Sequence, residues 1–142
     1  MPVAPRPLVV LFACVHNAGR SQMAAALFNQ MALPAAAEAI SAGTRPADGV
    51  HPVVVDVMRE EGIDLSGAKP GLLTPELARS VQLLVTMGCG EECPVVPGVE
   101  RQDWPLPDPK GQTHERVREI REAIRDRVAA LVREKGLGLT RS

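Results

Sequence analysis

The chain has 142 residues, 45% hydrophobic and 23% charged, and its 16 Lys and Arg against 17 Asp and Glu leave a formal charge of -1. That is the length of one ordinary domain with a real core, and the composition excludes disordered and fibrous classes. The charge balance leaves no basic footprint for nucleic acid and no polybasic patch for a membrane surface.

In chain order, Met1 to Pro7 carries three prolines and no long apolar segment, so it does not read as a signal peptide. Leu8 to Ala13 is a continuous apolar run, far short of the roughly 20 residues that span a bilayer, and suits a central parallel strand buried on both faces. Ser21 to Met31 predicts a helix, with Met23, Ala24, Leu27, Phe28 and Met31 on one face and Pro34 beyond its end. Ala39 to Ala42 is a short second strand, ended by Gly43-Thr44-Arg45-Pro46. A helix follows from about Pro52 to Glu61, with Gly62 as its stop. Thr74 caps a short helix running to about Ser80. Val81 to Met87 reads as a third buried strand and Val99 to Trp104 as a weaker fourth. Val117, Ile120, Ile124, Val128 and Leu131 mark an amphipathic helix from about Thr113 to Lys135, stopping at Gly136.

Strands alternating with helices predict an α/β fold with a small parallel sheet covered on both faces, built as one domain over residues 1–142, with 1–6 and 137–142 as loose ends. With one Trp, two Phe and no Tyr, the core is expected to be Val, Leu, Ile, Ala and Met. Three cysteines, Cys14, Cys89 and Cys93, are too few and too odd in number for a secreted disulfide framework. They point to thiol chemistry or metal binding, and the expected compartment is the reducing cytoplasm.

The segment Cys14-Val15-His16-Asn17-Ala18-Gly19-Arg20-Ser21 lies between a strand and a helix, where successive amides can point into one concavity and bind an oxyanion. Gly19 is expected to relieve the backbone where it curls, and Asn17 to tolerate a left-handed turn. A thiol at the head of such a loop feels a field that favours its thiolate, the nucleophilic form. Arg20 offers a planar fork for two oxygens, and Ser21 a hydrogen bond to the sulfur. His16 is read as part of the loop wall rather than as a base.

Asp108, in the stretch Asp103-Trp104-Pro105-Leu106-Pro107-Asp108-Pro109, is a carboxyl on a proline-stiffened loop that could protonate a leaving oxygen, although Asp-Pro is also an ordinary turn signal. Cys89 and Cys93 lie four residues apart beside glycines that permit rearrangement, so they suit a disulfide if geometry allows. As a metal site the pair lacks further ligands, so no metal and no bound cofactor is expected.

At these residues the chain resembles the low-molecular-weight tyrosine phosphatase superfamily and, within it, the arsenate reductases that share the fold. The resemblance runs through Gln22-Met23-Ala24, Ser41-Ala42-Gly43-Thr44, Glu61-Gly62-Ile63-Asp64-Leu65, Val85-Thr86-Met87-Gly88-Cys89 and Asp108-Pro109. It implies a four-stranded parallel sheet flanked by helices, Cys14 as nucleophile, Arg20 as oxyanion clamp and Asp108 as general acid. It further implies that arsenate, with phosphate as a competing analogue, esterifies Cys14, that Cys89 attacks that sulfur, and that Cys93 carries the oxidation outward. The implied external reductant is thioredoxin, or a low-molecular-weight thiol such as mycothiol or bacillithiol with a redoxin. Two departures stand out: Cys89 and Cys93 are closer than in the best-known thioredoxin-coupled members, and Ala25 replaces an acidic residue that helps bind potassium.

A phosphotyrosine phosphatase is the alternative, since it shares Cys14, Arg20 and Asp108. Phosphatases of this fold place tyrosines after the Asp-Pro, whereas Lys110-Gly111 follows here. A non-catalytic arsenite or metal-binding module on Cys89 and Cys93 is a third reading, which leaves the Cys14 loop unexplained.

Overall fold

The computed structural model of the chain describes residues 7–88, 93 and 95–138. Four parallel strands, β1 (Leu8–Cys14), β2 (Ala37–Gly43), β3 (Leu83–Thr86) and β4 (Glu100–Asp103), form one sheet in the order β2-β1-β3-β4. The helices are α1 (Arg20–Met31), α2 (Pro52–Arg59), α3 (Pro75–Arg79) and α4 (His114–Glu134).

β1 is apolar throughout because both of its faces are covered. Val10, Phe12 and Cys14 belong to a cluster with α1, α2 and α4, while Leu11 and Ala13 belong to a second cluster with Leu73, Val81 and Ala78 of α3. Each fully buried side chain of this size contributes about 1.5–3 kcal/mol, so the middle strand anchors the fold and holds its carboxyl end, where Cys14 sits, in place.

The two Phe and the Trp are also in the core. Phe12 meets Phe28 with centroids 6.0 Å apart and Trp104 at 5.5 Å, tilted as ring quadrupoles prefer. The core is therefore not purely aliphatic, and no aromatic ring is left over for the surface.

β2 starts two residues before the expected Ala39, because exposed Glu38 and small alanines give little alternation to read. Its outer edge is occupied by Asn29 of α1, whose carboxamide donates to the Ala39 carbonyl at 3.0 Å and accepts from the Ala39 amide at 2.8 Å. β4, at the other edge, is the polar run Glu-Arg-Gln-Asp, and its Glu100 pairs with Lys135 at 2.7 Å.

The expected loose end after Gly136 is corrected in part. Leu137 and Gly138 are tied down: Leu33 donates to the Leu137 carbonyl at 2.9 Å, Ala32 and Gly138 form an antiparallel bridge, and the Leu137 side chain is buried in the core. An apolar side chain just past a helix stop frequently packs back on the last turns of its helix. Residues 1–6 and 139–142 lie outside the described residues.

α2 is held against α4 by charge. Buried Arg121 donates to the Val57 carbonyl and to Glu60, both at 2.9 Å, and Arg118 reaches the same carboxylate at 2.8 Å. Hydrogen bonds from Arg118 and then Arg121 hold the Glu60 carboxyl at about 2, well below its ordinary range. With its far end fastened, α2 presents His51, the residue at its N-cap, towards the end of the sheet where Cys14 lies.

Candidate active site

The loop after β1 is shaped by where its carbonyls go. The carbonyls of Cys14, Val15, His16 and Ala18 accept from the amides of Thr44, Arg45, Ala47 and His51 at 3.2, 2.8, 3.0 and 3.0 Å. In a planar trans peptide the N–H points opposite to the C=O, so the amides of Val15, His16, Asn17 and Gly19 turn to the inner side. Asn17 makes the left-handed turn expected of it, with φ of 50°. Its buried carboxamide donates to Ser21 Oγ at 2.7 Å and accepts from Gln22 at 3.2 Å and from the Gly71 amide at 2.9 Å. Those bonds brace the loop from behind.

α1 begins at Arg20 with neither a side-chain cap nor an acidic residue in its first turn. α3 and α4 have both: Thr74 and Thr113 accept from Leu77 and Arg116 amides, and Glu76 and Glu115 lie in the first turns. The positive end of α1 and its unpaired amides are thus left to the loop, as an anion site requires.

Cys14 is a free thiol, 2% exposed, and its Sγ lies 2.9 Å from Ser21 Oγ. Because that oxygen already accepts from Asn17, its own proton is available to the sulfur.

Arg20 is 9% exposed and comes from the first turn of α1. Its Nη1 donates to the Leu106 carbonyl at 3.1 Å, its Nη2 lies 3.7 Å from Asp108 Oδ2, and its buried Nε has no partner among the described residues. An orphaned buried donor costs about 1–3 kcal/mol, which an oxyanion at the loop would recover.

Two glycines make this arrangement possible. Gly88 has φ of 103°, and a Cβ there would fall 2.2 Å from Arg20 Nη1. At Gly19 a Cβ would fall 2.5 Å from Pro109 Cγ. Gly19 thus makes room for the close approach of the Asp108-Pro109 loop. Gly88→Ala should weaken binding of inorganic phosphate by about tenfold, or ~1.4 kcal/mol, by pushing Arg20 off the loop. Calorimetric titration checks this, and an unchanged affinity would show that Arg20 does not need that space.

Asp108 stands across the loop with its side chain 46% exposed, accepting from the Lys110 amide at 3.0 Å. His16 is turned aside, its Nδ1 3.0 Å from the Arg45 carbonyl. His51 and Leu106 were not singled out in the sequence. Leu106 acts through its carbonyl, which leaves no signal, whereas a histidine directly before the helix-starting Pro52 was visible and went unused.

Cys89 lies outside the described residues. Cys93 is disulfide-bonded, 3% exposed, and packs in the cluster on the α3 side of the sheet, the opposite side from Cys14. A cleft of about 610 Å³ beyond Gly88 is lined by Cys93, Val95, Arg101, Asp103 and Trp104. Asp103, at the end of β4, accepts from the Thr86 hydroxyl there. Among the described residues no group of three His, Cys, Asp or Glu is placed to hold a metal.

Residues 9–138 match the family model described as low molecular weight phosphotyrosine protein phosphatase. A candidate arsenate reductase of Halobacterium salinarum is 43% identical over 127 residues, covering 87% of this chain and 89% of that one. The glutaredoxin arsenate reductase of Synechocystis is 32% identical over 126 residues, covering 87% and 95%. Among solved structures, the thioredoxin-dependent arsenate reductase of Corynebacterium glutamicum superposes with a TM-score of 0.80 at 41% identity. That match covers 93% of this chain, which spans 63% of the other protein's length.

Proposed function

The chain belongs to the low molecular weight phosphotyrosine protein phosphatase family, and from that membership we propose that it is an arsenate reductase serving arsenic detoxification in the cytoplasm. The observation that carries the reading is Cys14, a free thiol with Ser21 against its sulfur at the head of a loop whose amides turn inward. The relatives named as arsenate reductases support the choice of arsenate.

In this mechanism the Cys14 thiolate attacks arsenic while the amides of Val15 to Ser21 and the Arg20 guanidinium bind the remaining oxygens. Asp108 gives its proton to the departing oxygen, which leaves as water. Cys89 then attacks Cys14 Sγ. The electron pair of the S–As bond passes to arsenic, As(V) becomes As(III), and arsenite leaves as a Cys14–Cys89 disulfide forms. Cys93 attacks the Cys89 sulfur and returns Cys14 as a thiolate. The burial of Cys93 on the α3 side of the sheet suits that order, in which Cys93 never meets the arsenic itself. The dithiol of a redoxin, a thioredoxin or a glutaredoxin in view of the relatives' names, reduces the resulting disulfide. The alternative is a low-molecular-weight thiol that attacks the Cys14 adduct directly, with a redoxin to recycle it.

A phosphatase acting on phosphotyrosine is the second reading. Against it stands the composition: the chain has no Tyr, and both Phe and the Trp are buried in the core, so no exposed Tyr, Phe or Trp is present to stack on an aryl group.

The test is a single turnover. Fully reduced protein mixed with one equivalent of arsenate, without added reductant, should release about one arsenite and form about one internal disulfide. Peptide mapping should find Cys89–Cys93 in the wild type and Cys14–Cys89 in Cys93→Ser. Arsenite that appears only when a small thiol is added, with Cys89→Ser at full rate, would replace the relay by the external thiol.

A further inference from the structure

The hydrogen bonds that end on Cys14 have a direction, and a residue from a distant segment sets it. Asn17 is fully buried, and its carboxamide meets the Gly71 amide at 2.9 Å and Gln22 Nε2 at 3.2 Å through one atom, and Ser21 Oγ at 2.7 Å through the other. A backbone N–H can only donate, so the Asn17 atom that faces Gly71 must be the oxygen. The Asn17 nitrogen is thereby turned to Ser21 Oγ, which accepts, and the Ser21 proton is left for Cys14 Sγ at 2.9 Å. Gln22 cannot impose this order alone, because its own carboxamide can turn over and offer an oxygen where it now offers a nitrogen. The Gly71 amide has no such second state.

That amide is also held in place. The Gly71 carbonyl accepts from the Gly43 amide and the Leu73 amide donates to the Gly43 carbonyl, both at 2.8 Å, so that Leu72 forms a parallel bridge with Gly43. Gly43 ends β2 and is the register partner of Cys14. It lies against the anion loop as well, since a Cβ there would fall 2.6 Å from the Val15 carbonyl oxygen and 2.8 Å from the Asn17 amide nitrogen. Residues 71–73, the end of β2 and the loop therefore form one fixed assembly.

We propose that the Gly71 amide is a positioning group for Cys14: through Asn17 it aims the Ser21 proton at the sulfur for the step in which that sulfur leaves. The proposal rests on the relay described above. In that step Cys93 attacks the Cys89 sulfur, the Cys89–Cys93 bond forms as the Cys14–Cys89 bond breaks, and the electron pair of the broken bond passes to Cys14 Sγ. A donor already aimed at the sulfur stabilises that charge as it develops, with no reorientation at the moment of reaction. With the order reversed, Asn17 presents its oxygen to Ser21, the Ser21 proton goes to Asn17, and the sulfur faces a lone pair.

The test compares two substitutions of one residue in the full chain. Gly71→Pro deletes the N–H, whereas Gly71→Ala keeps it and is the reference, since a Cβ at this position meets no atom within 4 Å. Fully reduced protein is given one equivalent of arsenate, samples are quenched at intervals, and the disulfides are mapped. The exchange of Cys14–Cys89 for Cys89–Cys93 should run about tenfold slower in Gly71→Pro than in Gly71→Ala. In a Ser21→Ala background, where no proton remains to be aimed, the same two variants should differ by less than about twofold. A mere displacement of the loop would cost the same in both backgrounds. If the proline variant does not fold, an ester in place of the Gly71 amide, introduced by semisynthesis, deletes the N–H without adding an atom. Equal exchange rates with and without the N–H, or an equal loss in the two backgrounds, overturns the proposal and leaves the relay standing. A Cys14–Cys89 disulfide that never forms, in the wild type or in any variant, overturns the relay and the proposal with it.

Discussion

Cys14→Ser is expected to abolish arsenate reduction, and any aryl phosphate hydrolysis with it, in a protein that stays folded. The substitution exchanges sulfur for a smaller oxygen at a side chain that is 2% exposed, so the packing around β1 and α1 is nearly conserved. On the proposed mechanism, what is lost is the nucleophile. Ser21 Oγ stands 2.9 Å from the sulfur, and a neutral hydroxyl is a poor substitute for a thiol as a nucleophile there. Loss of a nucleophile that acts with its partners as one unit costs about 10⁶-fold in kcat, below detection in an ordinary assay. Steady-state kinetics beside a thermal melt checks both halves, and measurable turnover in the folded variant would remove Cys14 from the mechanism.

The second large effect is expected at Asp108. Asp108→Asn lowers the rate of arsenite formation by about 10²–10⁴-fold, the usual cost of a missing general acid. Oxyanion binding is affected far less. Arg20 keeps its bond to the Leu106 carbonyl, and the Asp108 contact at 3.7 Å is a loose ion pair with one half-exposed partner. Phosphate affinity should therefore stay within about threefold of wild type while turnover collapses, a split that a general loosening of the site does not produce. An unchanged rate with an unchanged pH profile would leave Asp108 as a turn residue, accepting from the Lys110 amide and loosely paired with Arg20.

The parts of the site legible in the sequence were those whose chemistry is carried by side-chain type. A cysteine, an arginine and a serine at fixed spacing after an apolar run announce an anion loop, because the strand, loop and helix each leave a local pattern. The parts not legible act through backbone or shape. Leu106 contributes a carbonyl, Gly88 contributes the absence of a side chain beside Arg20, and Gly19 makes room for Pro109 from across the chain. Local sequence cannot show that residues 19 and 109 meet. The same contrast runs through the fold. β1 was clear from its continuous apolar run and α4 from its long periodic pattern, whereas β4, the weaker strand read over Val99 to Trp104, is four polar residues held as a strand by pairing with β3. Leu137 looked like the start of a loose end because only its contact with the core, through the Leu33 and Val132 bonds, gives it a place.

The treatment of the two sheet edges bears on how this protein behaves at high concentration. An open sheet with unsatisfied edges invites strands from other copies to add, the route to aggregates. Here the longer edge strand offers little: the Asn29 carboxamide already fills both the donor and the acceptor of Ala39, standing in for a fifth strand at one position. The shorter edge is four residues of Glu, Arg, Gln and Asp, with Lys135 drawn across its first carboxylate. A second copy laying its own β4 alongside would bring like charges together on a stretch too short to repay the cost. On the proposed relay the fold passes through altered conformations in each cycle, and edges closed to self-association would let it do so without clumping.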